Sequence, residues 1–538
     1  MTAAPDRARR PNILMIMTDQ EMSAATLPKG MLDKLPGHLE LMSLGTSIDG
    51  YHVQTTPCSP SRSTIVTGRH TQTTGVYSNN DTPPNPRLAD IPTLGHMLRA
   101  ADYYTVYKGK WHLSGINEER DWPGVPGKPS FAYPNTTDCM ERFGFSDYGF
   151  NGEEVGLTWA GYHSDRVVAG DAARLILDFE DPGRSDGKPW FMVVGLVNPH
   201  DIMFFDATGE QTRSRPIPDL IGPLRPEPGD PLYAEDLGFD LPESFYKDDL
   251  STKPEAHMGI RENNDFFFGK MPMDDLASWR RFTNYYYNCL RDVDRRLTQL
   301  IWALRRSGQL DNTIIVYTSD HGERAAAHGL RQKAGTIYRE ETNVPMIIAH
   351  PDVKGGGASS RLMSAIDLAP TLMAFAGKDA AWRKTRFPDL PGIDVSGLLA
   401  DPLGPTERDE RGHLFDYAVA YMWGRLPRGV KPAGPLPYDL TKRRLHRGVH
   451  DGRYKFARYF APAEHHRPED WETLAAHNDL ELYDVEADPH EIVNLAADPA
   501  QKDNILRLNG MVNRLIDIEV GADDGREFPG DPAIYQLA

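Results

Sequence analysis

Cysteine is scarce: three residues, Cys58, Cys139 and Cys289, in a chain of 538. That is too few for a disulfide framework and points to a reducing compartment, so the expected location is the cytoplasm. Long apolar runs are missing as well. The first, Ile13 to Met17, stops at Asp19 and is too short for a signal-peptide core or a membrane span. Positive charge is in deficit, with 59 Lys and Arg against 77 Asp and Glu, a net charge of −18. Such a chain repels nucleic acid and anionic membranes, so neither is an expected partner. An anionic substrate would have to be drawn by a local cluster of positive groups. Internal repeats and low-complexity tracts are also lacking.

What is present reads as a soluble α/β protein. The length exceeds one ordinary core, so two domains are expected. Pro11 to Thr18 holds a continuous apolar run that stops at Asp19-Gln20, the pattern of a central strand covered by helices on both faces. Trp190 to Val197 and Asn312 to Ser319 repeat it, and Tyr103 to Tyr107 is a fourth strand. Ser47 to Gln54 is extended, Pro60 opens a helix running to about Gly68, and Pro92 to Ala101 is another helix. Ser164 reads as the N-cap of a helix striped by Val168, Ala172, Leu175, Ile176 and Phe179. Asp275 to Ser307 is the clearest helix, with apolar residues from Phe282 to Leu304 every three or four positions and Gly308 as its stop. Cys289 lies beside that stripe as a core residue.

Between about Phe204 and Met273 no steady period survives, and the stretch reads as an insertion walling a substrate pocket. Composition shifts near Phe387 to Glu410. Beyond it lie a hairpin split at Asp451-Gly452, a strand at Leu480 to Tyr483 and a helix from Ala500 to Ile518. The expected architecture is a mostly parallel sheet flanked by helices over residues 11–410, insertion 204–273 included, with a smaller α+β domain over 411–538.

Polar residues collect where the strands end. Ligands in such sheets bind beyond the C-terminal strand edge, and Asp19-Gln20, Gly109-Lys110-Trp111-His112, Asn198-Pro199-His200 and Asp320-His321 all stand there. Asp19, Gln20, Asp320 and His321 are hard donors with one imidazole, a set suited to Ca²⁺ or Mn²⁺ more than to structural zinc. Cys58 stands near a helix N-terminus, where negative charge is favoured.

Cys58-Ser59-Pro60-Ser61-Arg62, closed by Thr67-Gly68-Arg69, resembles the signature of the type I sulfatases. The Gly-Lys-Trp-His, Asn-Pro-His and Asp-His-Gly segments, Lys333, and the late Leu482-Tyr483-Asp484 with Asp488-Pro489 and Asn494-Leu495 extend the resemblance over most of the chain. It implies an alkaline-phosphatase-like fold and oxidation of Cys58 to formylglycine by a formylglycine-generating enzyme. It also implies one divalent metal on Asp19, Gln20, Asp320, His321 and modified Cys58. Arg62 would hold the aldehyde hydrate, Lys110 would clamp the sulfate, and His112 would take the proton that restores the aldehyde. His200 and Lys333 would serve the leaving group, and Asn79 would supply an active-site amide.

Gln20 stands where many members carry aspartate, and His321 where many carry asparagine. That pair looks like the one in cytoplasmic choline sulfatases and phosphonate monoester hydrolases, which leaves Ca²⁺ against Mn²⁺ open. The expected activity is hydrolysis of a small aryl or alkyl sulfate monoester; homo-oligomer formation is compatible with it. The alternatives are a phosphonate monoester or phosphodiester hydrolase on the same scaffold, and a metal-binding protein in which Cys58 stays a thiol.

Overall fold

The computed structural model describes residues 10–76, 79, 88–113, 140–148, 156–216, 222–416, 442–461 and 464–523. Cys139 lies outside them. The first long sheet is built from β1 (Asn12–Asp19), β2 (Thr46–Ile48), β4 (Tyr104–Gly109), β5 (Trp190–Pro199), β6 (Thr313–Ser319), β7 (Met346–Ala349) and β8 (Gly357–Ser359). Their order is β4-β5-β1-β6-β7-β2-β8. Strands β4, β5, β1 and β6 are mutually parallel, while β7 runs against both of its neighbours. A short pair, β3 (Tyr51–His52) with β9 (Met363–Ser364), lies alongside.

Each central strand is buried on both faces, which is why its sequence is continuously apolar. Ile13, Met15 and Met17 face a layer containing helix α1 (Cys58–Thr67) and helix α4 (Leu368–Phe375). Leu14 and Ile16 face the other layer, made by α2 (Ala160–Asp178) and the 31-residue α3 (Leu276–Arg306). Asp275 caps α3 and Gly308 follows it at φ 66°. Helix α2 begins at Ala160 behind Trp159, so Ser164 lies inside its first turns and is not the N-cap that the sequence suggests.

The stretch 204–273 is more regular than its sequence. It contains the 14-residue helix Glu255–Phe268, whose buried side is Ala256, His257, Gly259, Ile260, Asn263, Asn264, Phe267 and Phe268. The spacing is helical, yet half of that face is polar or glycine, so hydrophobicity alone hides the period.

At the C-terminal end, β10 (His413–Phe415), β11 (Leu445–His450), β12 (Tyr454–Phe460) and β13 (Asp479–Asp484) form an antiparallel sheet in sequence order. Helix α5 (Lys502–Leu515) packs on one face through Ile505, Leu508, Val512 and Leu515. The other face sets Phe415, Ala457, Tyr459 and Tyr483 against Leu330, Ile337 and Tyr338 of the larger layer. A buried ion cluster pins the two parts together: Arg408 donates to both oxygens of Asp367 at 2.9 and 2.7 Å and to Glu519 Oε1 at 2.5 Å.

Removing one partner of such a cluster leaves uncompensated buried charge. Arg408→Met is expected to cost about 3–5 kcal/mol in urea unfolding. Burial pushes the Glu519 carboxyl up, but Arg408 and His70 outweigh it and bring it to about 2. Its contribution to stability is therefore full above pH 4.5 and lost as pH falls toward 2. The Arg408→Met protein should show a flatter acid limb than the parent.

Candidate active site

Because β1, β4, β5 and β6 run parallel, their C-terminal ends open on one edge. Asp19 and Gln20 leave β1, Lys110 follows β4, His200 follows β5, and Asp320 and His321 follow β6. Helix α1 points its N-terminus at the same place. It starts at Cys58 behind Pro57, two residues earlier than the proline at position 60 suggests, so Cys58 occupies the first turn. All ten residues of α1 are buried. Its hydroxyls are satisfied locally: Ser63, Thr64 and Thr67 donate back to backbone carbonyls of the helix, and Ser59 Oγ donates to the His112 carbonyl at 2.6 Å. Asn79 Oδ1 accepts from the Ser59 N–H at 3.1 Å and so caps the first turn from a distance.

Cys58 Sγ lies 3.2 Å from His321 Nε2 and 3.7 Å from Asp19 Oδ1. Arg62, one turn along α1, spans the two carboxylates: Nε donates to Asp320 Oδ2 at 2.6 Å and a terminal nitrogen to Asp19 Oδ2 at 3.1 Å. Its remaining amine donates to the Lys110 carbonyl at 2.8 Å. Lys110 Nζ stands 2.7 Å from Asp19 Oδ2. The path that brings Lys110 there needs glycine at 109, where φ is 83° and a Cβ would run into the Gly195 carbonyl. His112 is buried beside α1 with φ 52°, so the segment after β4 is not extended and two-residue alternation does not govern where Lys110 and His112 point.

Charge is unevenly shared in this closed space. Burial pushes the Asp19 carboxyl up, but Lys110, with Arg62 and His321, holds it well below the usual range. Asp320, buried and beside the charged Asp19, is pushed up to about 6. Burial and Asp19 raise the Cys58 thiol, and the charges of Lys333, Lys110 and His321 more than reverse this, leaving it well below its ordinary value. His200 is brought down to about 3 by burial and by Lys333 and Lys110, so it is a neutral imidazole at pH 7.

Lys333 donates to the Gln20 side-chain oxygen and lies 3.4 Å from Met203 Sδ. The Gln20 amide nitrogen donates to Glu323 and, at 3.3 Å, to Gln332 Oε1. Gln20 thus links the predicted metal donors to the lysine. Behind it stand groups that the sequence did not single out. Glu341 accepts from Arg324 at 2.7 Å, Thr56 at 2.7 Å and the Ala334 N–H at 2.5 Å. Glu21 accepts from Tyr317 at 2.6 Å and meets His38, which also meets Asp294 at 2.6 Å. Only the position of Glu323 within Asp-His-Gly-Glu and of Glu21 beside Asp19-Gln20 hinted at them.

Gly156 is a second close approach. Its φ is 90°, and a Cβ there would fall 2.6 Å from His200 Nδ1 and 3.1 Å from Lys110 Nζ. Gly156→Ala is expected to displace both side chains and lower kcat by on the order of tenfold to a hundredfold, and its strained backbone should cost about 1–2 kcal/mol of stability. An unchanged kcat would mean that neither side chain needs its present position.

Among the described residues, Asp19, Cys58, Asp320 and His321 are the group whose ligand atoms lie within 4.8 Å of one another, all buried. Two carboxylates forced together without solvent, with an imidazole alongside, fit a hard divalent cation, which relieves their repulsion. The residues suit the group that the motif implies. No helix of the described residues is long and apolar enough to cross a membrane.

Comparison with known proteins agrees with this geometry. The family model described as Sulfatase matches residues 11–378. The chain is 25% identical to an N-acetylglucosamine-6-O-sulfatase of Bacteroides thetaiotaomicron, over 91% of this chain and 83% of that one. It is likewise 25% identical to a choline-sulfatase of Rhizobium meliloti, again over 91% and 83%. A phosphonate monoester hydrolase from Silicibacter pomeroyi shares the fold, with a TM-score of 0.62 at 19% identity over 96% of each chain. With its alkaline-phosphatase-like sheet, its Cys58 signature and a family match over more than half its length, the chain belongs to the sulfatase family of sulfuric ester hydrolases.

Proposed function

We propose that this enzyme hydrolyses a small aryl or alkyl sulfate monoester to an alcohol and sulfate, in the cytoplasm, with Cys58 matured to formylglycine. The observation that carries this is the placement of Cys58 Sγ in the first turn of a buried helix. Arg62, Lys110, Lys333 and two carboxylates converge on it within an otherwise acidic protein. Asp19, Gln20, Asp320, His321 and residue 58 would hold one divalent cation, Ca²⁺ with Mn²⁺ as the alternative. Formylglycine would supply, as its hydrate, an oxygen nucleophile, and a cation held there would lower the pKa of that hydrate and neutralise charge on the sulfuryl oxygens.

The chain's own residues account for the rest. Arg62 fixes Asp19 and Asp320 relative to helix α1, so the nucleophile and the carboxylates move as one body. Lys110, already beside Asp19, offers its ammonium to a sulfate oxygen. His112 takes the proton at residue 58 that restores the aldehyde. His200 is neutral and can offer an N–H to the departing oxygen, while the Lys333 ammonium supplies the proton. Asn79 holds the turn that carries residue 58.

A formylglycine-generating enzyme is the partner during maturation. The cytoplasmic reading draws on the few cysteines, of which Cys58 and Cys289 are free and buried. The division into a catalytic domain over 11–410, with its insertion over 204–273, and a C-terminal domain over 411–538 is supported by β10 starting at His413.

A screen on metal-defined protein tests the substrate class. A phosphonate monoester or phosphodiester carries a second organic substituent where a sulfate ester presents a bare oxygen, so Lys110 would lose a partner and crowd the group. Sulfates should therefore give the highest kcat/KM. A phosphonate monoester that exceeds every sulfate tried would make the enzyme a phosphonate hydrolase.

A further inference from the structure

We propose that the C-terminal domain sets the position of the leaving-group lysine: Lys455, Glu491 and Tyr459 grip the backbone just beyond Lys333 and hold it at the reacting centre. The inference rests on the leaving-group role proposed above for Lys333.

The segment that presents Lys333 is unusual in its backbone. Ala325, Ala326, His328, Gln332 and Ala334, none of them glycine, all have positive φ, at 40°, 76°, 57°, 66° and 90°. Residues persist in such conformations where their surroundings over-determine them, and they gather at functional sites. The inner side of the segment is fixed by two buried carboxylates of the larger part, Glu323 and Glu341. Glu323 Oε1 accepts the Ala325 and Gln332 N–H groups at 3.1 and 2.6 Å, and Glu341 Oε1 accepts the Ala334 N–H.

The outer side is fixed by the other domain. Lys455 Nζ donates to the Ile337 carbonyl and pairs with Glu491 Oε1 at 2.6 Å. Glu491 Oε2 accepts the Arg339 N–H at 2.8 Å. Tyr459 shares its one hydroxyl proton between Glu481 Oε1 at 2.7 Å and, as the weaker arm, the Gly335 carbonyl at 3.4 Å. Lys455 and Tyr459 lie four residues apart on β12, so they share a face. Their targets, 337 and 335, alternate along the segment in the same way.

Lys455 and Glu491 are each 1% exposed. Apolar residues would fill that space at lower desolvation cost, so a buried ion pair there is poor evidence for stability. What this pair does with its polar atoms is bind the backbone four and six residues after Lys333. These are positioning residues, since none of them reaches the centre itself.

The test is kcat/KM for 4-nitrophenyl sulfate, whose leaving group needs little protonation, against phenyl sulfate, whose leaving group needs much. Lys333→Ala should lose far more on phenyl sulfate, on the order of a hundredfold more. Lys455→Met should show the same selectivity, losing about tenfold or more on phenyl sulfate and less than about threefold on 4-nitrophenyl sulfate. Tyr459→Phe, an isosteric change, should follow in the same direction and carries the test if Lys455→Met fails to fold. Selective loss in Lys333→Ala with equal losses, or none, in the foldable clamp variants would overturn the clamp alone. Equal losses on both substrates in Lys333→Ala would overturn the role of the lysine itself.

Discussion

Cys58→Ala should reduce turnover by on the order of 10⁴-fold or more and leave the melting temperature within a few degrees of the parent. The side chain is fully buried, and its sulfur sits beside Asp19 and His321. Losing the group that is converted to the nucleophile leaves the positive cluster intact, so substrate should still bind. Arg62 retains both carboxylates in the variant, which is why the fold should survive. A Cys58→Ala enzyme with a tenth of parental kcat would place the nucleophile on another residue. A variant that unfolds would reveal a structural role for the thiol.

The second large effect is expected at Asp19. Its Oδ2 is shared by Lys110 at 2.7 Å and Arg62 at 3.1 Å, and its Oδ1 lies 3.7 Å from both Cys58 Sγ and His321 Nε2. Asp19→Asn keeps the shape and removes the charge that all four groups use. Bound metal and rate should fall together, the rate by on the order of 10³-fold, matching several kcal/mol of lost charge stabilisation. Asp320→Asn should act in the same direction. Its effect should be smaller, because Arg62 is its single strong cationic partner at 2.6 Å among the described residues, with His321 at 3.6 Å. Undiminished metal content in both variants would locate the cation elsewhere.

The residues legible from sequence share one physical cause. A strand buried on both faces is continuously apolar, so its end is sharp, and Asp19, His200 and Asp320 stand out against Ile13–Met17, Trp190–Val197 and Ile314–Val316. Their convergence followed from the parallel order of the strands. Less legible were features that depend on partners far away in the chain. Helix Glu255–Phe268 buries His257 and Asn264 against Tyr338 and the Arg331 carbonyl, so its inner face is polar and its period was hidden. The reversal of β7 is set by its pairing with β6 and β2, which four to six apolar residues cannot encode. Gln20 was legible as a polar strand end. Its three side-chain partners, Glu323, Gln332 and Lys333, lie more than 300 residues on and were not. The grip of Lys455 and Glu491 on residues 337–339 is of the same kind, side chain to backbone across domains, and leaves no local signature.

The most direct test is the mass of the peptide containing Cys58, taken from an active, metal-loaded preparation produced with a formylglycine-generating enzyme. Position 58 should carry an aldehyde that a hydrazide traps, in a fraction that rises in step with specific activity. A fully active preparation whose Cys58 peptide retains its thiol and reacts completely with iodoacetamide would contradict formylglycine chemistry at this site.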